Sequence, residues 1–172
     1  IGAPYNDGKG ADSGHVRVYK WDETSKTWDL RGEDIDGEAA FDNNGYSVSL
    51  SSDGSIVAIG AIYNDSFYGE QQILNSSGHV RIYEWSGSSW VQCGEDLDGE
   101  AVDDQSGYSV ALSSDGDILV TGALYNDGNG NYSGHVRVYE WNGTSWVQRG
   151  EDIDGEDAGD QTGVSVALSS DG

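Results

Sequence analysis

The phrase "GEDIDGEAAFDNNG" (residues 32–45) sets carboxylates at alternate positions and closes on a glycine turn. Near copies follow as "GEDLDGEAVDDQSG" (94–107) and "GEDIDGEDAGDQTG" (150–163). D-x-D-G with further acids downstream offers what a hard cation needs, several oxygen donors on a chain that bends around the ion. The candidate metal ligands are Asp34, Asp36, Glu38 and Asp42, then Asp96, Asp98, Glu100 and Asp104, then Asp152, Asp154, Glu156 and Asp160. Calcium (Ca2+) is the ion such loops would take. The phrase lacks the full D-x-D-x-D-G-x5-E spacing, so the competing expectation is a solvated loop whose acids meet arginines and cap backbone amides. Paired carboxylates also serve glycoside hydrolysis. A catalytic pair is unique in its protein, whereas these acids recur with every repeat. There is no Ser-His-Asp set, phosphate-binding glycine loop or zinc-ligand spacing. The chain reads as non-enzymatic, with a carbohydrate-active enzyme as the remote alternative.

Two other residue types recur in step. His15, His79 and His135 occupy one repeat position, and Arg17, Arg81 and Arg137 follow two residues later. Equivalent positions of a repeat array lie well apart, so the histidines are expected to be packed or hydrogen-bonded one by one rather than to share a metal. An arginine inside a strand with sheets on both sides needs a partner. Glu33, Glu95 and Glu151, or Asp34, Asp96 and Asp152, are the acids in reach, giving a salt bridge in each repeat.

These residues stand on a repeating frame. "SSDG" falls at Ser51, Ser113 and Ser169, spacings of 62 and 56 residues, and the length difference lies mainly in the loop after "YND". Each unit reads as four short strands. "GYSVALS" alternates, "DILVTGA" is a continuous apolar run, "GHVRVYEW" alternates again, and "NG" turns into "SWVQRG". No window has helical periodicity. Four antiparallel strands per repeat of about 60 residues indicate an all-β fold of β-propeller blades. Repeats span approximately 1–44, 45–106 and 107–162, with 163–172 opening the next; residues 1–172 form one array, read as a fragment of a larger propeller. Trp21, Trp85 and Trp141, with Trp28, Trp90 and Trp146, are expected to pack between blades.

The net charge of -23, from 31 acidic and 8 basic residues, argues against nucleic acid as a partner. No apolar run approaches the roughly 20 residues of a membrane helix. Cys93 stands where the other repeats have Arg31 and Arg149, so it belongs to no repeated disulfide and reads as a free thiol. Four N-x-S/T sequons, at Asn64, Asn75, Asn131 and Asn142, lie in expected loops and would tolerate glycans.

"SGYSVALSSDGDILVTGA" followed by "GHVRVYEW" resembles the FG-GAP repeat of integrin-alpha-like β-propellers, with "NGYSVSL" and "IGAP" standing for parts of the same motif. The resemblance covers the whole chain. It implies an extracellular or cell-surface module for adhesion or ligand recognition, with a protein or glycan as partner and no enzyme activity. That family's calcium loop lies between the first two strands. Here Asp53, Asp115 and Asp171 stand alone in that place, so its site does not carry over and a simple turn is expected. The alternative function is a structural repeat of an extracellular filament or matrix, in which copies of the chain associate.

Overall fold

The computed structural model describes residues 1–68, 71–74 and 76–172, with side chains described outside residues 66–75. All its regular structure is β, in antiparallel sheets, and no helix is long and apolar enough to cross a membrane. The central sheet runs β6 (Asn44–Leu50), β7 (Ile56–Ala61), β10 (His79–Trp85) and β11 (Trp90–Gln92), each paired with the next. The third sheet repeats this with β13 (Ser109–Leu112), β14 (Ile118–Ala123), β15 (His135–Trp141) and β16 (Trp146–Gln148). The first sheet is a partial version, made of β1 (Gly2–Ala3), β2 (His15–Val16) and β5 (Ile35–Asp36), with the hairpin β3 (Tyr19–Asp22) and β4 (Thr27–Leu30). These meanders are consistent with successive blades of part of a propeller. In the variable loop of the middle unit, β8 (Ser66–Tyr68) and β9 (Gln71–Leu74) pair as an added hairpin.

The strands follow from their residues. β14 is buried along its whole length, as its unbroken apolar run requires. β10 buries four successive residues, His79 to Ile82, because it is central in its sheet and covered on both faces. Two apolar cores lie between sheets. Val16, Val18 and Ile35 meet Val57 and Ile59, and Ala58, Val80 and Ile82 meet Leu112, Leu119 and Tyr139. The sheets are therefore stacked face to face.

One difference from the sequence reading matters for function. The fourth strand does not end at "WVQ". After a break at Gly94, which has φ +86, it resumes as β12 (Leu97–Asp98) and pairs with the beginning of β10. β17 (Ile153–Asp154) does the same on β15. The D-x-D of the acidic phrase is thus partly strand, and Asp36, Asp98 and Asp154 lie directly opposite His15, His79 and His135.

Candidate functional site

Cross-strand register brings each histidine to the acids of its own repeat. His15, His79 and His135 are all buried, and their Nδ1 atoms lie 3.5, 3.7 and 3.6 Å from Oδ2 of Asp34, Asp96 and Asp152. Arg17 and Arg137 clamp the same carboxylates with two bonds each. Arg17 Nε and Nη2 donate to Asp34 at 2.8 and 2.8 Å, and Arg137 Nε and Nη2 to Asp152 at 3.0 and 2.8 Å. The expected salt bridge therefore holds for these two arginines, within a strand for Arg137 and between β2 and β3 for Arg17.

Arg81 behaves differently. Its Nη2 donates to the Asp36 carbonyl (3.1 Å) and to Asn44 Oδ1 (3.3 Å), and its Nη1 is 3.3 Å from Glu38 Oε1. All three partners come from the preceding repeat or its junction. Glu100 pairs with Arg137 in the same way. Glu38 and Glu100 thus cross to the next sheet, a role that sequence proximity did not suggest. The available signal was Gly37 and Gly99, where the chain leaves one sheet for the next.

Within one phrase the described residues gather two of the acids at most, Asp34 and Asp36 beside His15. Asp34 and Asp152 hold their own sheet's arginine, while Glu38 and Glu100 bridge sheets. Asp42, Asp104 and Asp160 cap their own loops, accepting from the amides of Ala39 (2.8 Å), Ala101 (3.1 Å) and Asp157 (2.9 Å). Asp36 lies 3.8 Å from the Lys9 ammonium, and Asp98 and Asp154 are exposed on β12 and β17. Glu156 is exposed, since the described residues hold no following sheet for it to reach.

What the structure gathers instead are three mixed clusters, His15–Asp34–Asp36, Glu38–His79–Asp96 and Glu100–His135–Asp152. In each, one imidazole nitrogen and two carboxylate oxygens lie within 4.8 Å of one another and could hold a metal ion. Burial, helped by the Arg81 charge, lowers the His79 pKa to about 3, and burial lowers that of His135. Both are neutral near pH 7, the form that ligates metals. Hydrogen bonds from Arg17 and Arg137 hold Asp34 and Asp152 below the usual carboxylate range, while burial raises Glu38 against the pull of Arg81. Both nitrogens of His79, and Nε of Arg81, lack a hydrogen-bond partner.

The remaining expectations divide. Asp53 is a turn residue, accepting from Ser51 Oγ, Ser55 N and Ser55 Oγ, and Asp115 repeats this with Ser113 and Asp117. Asn131 and Asn142 are exposed. Asn64 is buried and supports the Asp42 carboxylate, so its sequon is not open to a glycan. The Asn75 sequon lies outside the described residues. Crevices of about 460 and 350 Å³ open between consecutive sheets, one beside Glu33, Asp34 and Trp90, the other beside Glu95, Asp96 and Trp146.

No protein-family model matches the chain, and no curated protein matches it in sequence. In fold it is similar to the crystal structure of a candidate 6-phosphogluconolactonase from Bacteroides uniformis, with a TM-score of 0.54 at 13% identity over 87% of this chain. The chain spans 39% of the length of that protein. At this identity the likeness concerns the fold alone.

Proposed function

We propose that the chain is a section of an extracellular, FG-GAP-like β-propeller that acts as a non-enzymatic recognition or adhesion module. Its stacked sheets form the scaffold, and the loop after "YND" carries the ligand surface. One observation supports this most. The groups capable of chemistry recur in each sheet and are tied to one another, whereas the segment from Asp65 to Ser76 is where the repeats diverge and adds the β8–β9 hairpin. The ligand class is a protein or glycan.

The test is a loop replacement. Residues 65–76 are exchanged for the six residues 127–132 that occupy this place in the third repeat. The expected result is an unchanged melting temperature with loss of binding on a glycan array or to a cell surface. Binding that survives the exchange, or turnover of sugar lactones by the unaltered chain, would overturn the reading.

The second and third mixed clusters are first of all parts of ion-pair clasps between sheets, through Glu38–Arg81 and Glu100–Arg137. As metal sites, their imidazole nitrogen suits a borderline ion such as Zn2+ better than Ca2+, which prefers an all-oxygen shell. Glu38–His79–Asp96 is the best of them, because Arg137 occupies both oxygens of Asp152 in the third cluster. Calorimetry with each ion decides between them. Zn2+ binding lost in His79→Asn supports this cluster, and Ca2+ binding indifferent to His79 would return the reading to the acids alone.

A further inference from the structure

The two clusters that lie between sheets are built from the same parts and differ in one place. In each, a buried histidine on the third strand of its sheet faces an aspartate of its own repeat, and a glutamate arrives from the repeat before. In the later cluster, Arg137 holds both oxygens of Asp152 and also pairs with Glu100, so its charge already sits among the candidate ligands. In the earlier cluster, Arg81 turns away from Asp96. Its Nη2 donates to the Asp36 carbonyl (3.1 Å) and to Asn44 Oδ1 (3.3 Å), and its Nη1 pairs with Glu38. Asp96 keeps Gln92 Nε2 on Oδ1 (2.6 Å), and among the described residues its Oδ2 meets His79 alone.

The residue behind this difference is Asn44. It is fully buried at the start of β6, and its Nδ2 donates to the Ile35 carbonyl (3.0 Å), which aims Oδ1 at Arg81. The following repeats carry Ser106 and Thr162 at this position. A serine hydroxyl is one bond shorter than an asparagine amide, and beside Ser106 the guanidinium of Arg137 folds back on Asp152.

His79 marks the place that this leaves. Its side chain is 1% exposed, both ring nitrogens lack a hydrogen-bond partner, and Nδ1 lies 3.7 Å from Asp96 Oδ2. A buried imidazole without a partner costs free energy, which an ion on Nδ1 would offset. Glu38 and Asp96 each bring a carboxylate oxygen within 4.8 Å of that ring. The Glu38 side chain is 49% exposed, so an ion has a way in from solvent.

We infer that Asn44, by drawing Arg81 off Asp96, selects this cluster over its neighbour as the site of a borderline divalent cation such as Zn2+. The ligands are His79, Asp96 and Glu38, with a fourth position left to water. The ion would tie the acidic phrase of the first repeat to the third strand of the central sheet. Asn44 is a positioning residue and touches no ion itself. The inference rests on the reading of this cluster as a metal site and adds what distinguishes it from the cluster around His135.

The test is titration calorimetry of the whole chain with Zn2+ alone. The unaltered chain is expected to bind an ion that His79→Asn abolishes. Asn44→Ser installs the residue of the next repeat and is expected to weaken binding roughly tenfold or more, because Arg81 then clamps Asp96. Adding Arg81→Gln to Asn44→Ser is expected to restore binding, since a neutral glutamine does not compete with the ion for the carboxylate. Circular dichroism checks that each variant folds. Zn2+ binding that Asn44→Ser leaves unchanged would overturn the role of Asn44 while the metal site stands. Binding lost in both Asn44→Ser and the double variant would mean that Asn44 acts through the fold and not through Arg81, which overturns the inference as well. No binding to the unaltered chain would remove the site and the inference together.

Discussion

At the scale of residues, Arg137 and Arg17 make the same bidentate bond to an aspartate and differ in their surroundings. Arg137 is nearly covered and also answers Glu100 from the neighbouring sheet; Arg17 is open to water. Burial works against the charge of Arg137, and its bonds with Asp152 and Glu100 outweigh that. Removing it would leave Asp152, partly buried, without its bidentate partner and Glu100 without its ion pair, so Arg137→Ala is expected to cost roughly 2 kcal/mol in a denaturant melt. Arg17→Ala should barely move the same melt, since an exposed pair is screened by water. His79 gives a second expectation. Its folded pKa is about 3 against an ordinary 6.5, with burial the main cause, so on acidification the unfolded chain takes up a proton that the folded chain refuses. Stability from this group is complete above pH ~6.5 and is lost progressively as the pH falls towards the folded value. Glu38, Asp42 and Asp104 act in the opposite sense, because burial raises their pKa values and protonation relieves a buried charge. The contribution of His79 is isolated by comparison. His79→Asn should flatten the decline in stability between about pH 6.5 and pH 4.5. An unchanged slope would mean that the imidazole is solvated in the folded state.

At the scale of elements, the four strands of the second and third sheets were legible because alternation and turn residues mark them independently. "DILVTGA" announced a fully covered strand, and β14 is one. The second half of the fourth strand was not legible. β12 is two residues long and half acidic, so it carries no apolar period, and only its pairing with β10 defines it. The acids were grouped by their nearness in sequence. Gly37 and Gly99 then carry Glu38 and Glu100 to a different sheet, and no local pattern reports that step. The junction itself is tested at Gly78. Its φ is +72, a Cβ there would stand 2.3 Å from the Ser106 carbonyl oxygen, and Gly78 bridges Ser106 at the entry to the third sheet. Gly78→Ala must therefore push two sheets apart as well as strain the backbone. A loss of more than about 2 kcal/mol is expected. Gly143, with φ +96 and nothing within 4 Å, is the control: Gly143→Ala carries the conformational penalty alone, about 1 kcal/mol.

At the scale of the whole molecule, stability should vary along the stack. In a repeat array each unit gains from its own strands and from its neighbours, so a unit with two neighbours is held more firmly than one with a single neighbour. The central sheet is covered on both faces. Val57 and Ile59 pack towards the first sheet, and Ala58, Val80 and Ile82 towards the third. The outer faces differ: Trp28 and Leu30 on β4, and Val147 and Ile153 on β16 and β17, are exposed. Ser47 and Ser109 extend the same logic to hydrogen bonds, since the hydroxyl of each donates to a carbonyl at the start of the following repeat, Gly107 and Gly163, at 2.6 and 2.6 Å. Amide hydrogen exchange in dilute solution should therefore show its slowest protons in β7 and β10. Protection in β14 and β15 should be lower, and lowest in β3, β4 and residues 163–172, in the order of neighbouring cover. Equal protection from end to end would mean that the stack opens as one cooperative unit and that the contacts between sheets far outweigh those within them. Faster exchange in β10 than in β15 would count against the ranking by neighbouring cover.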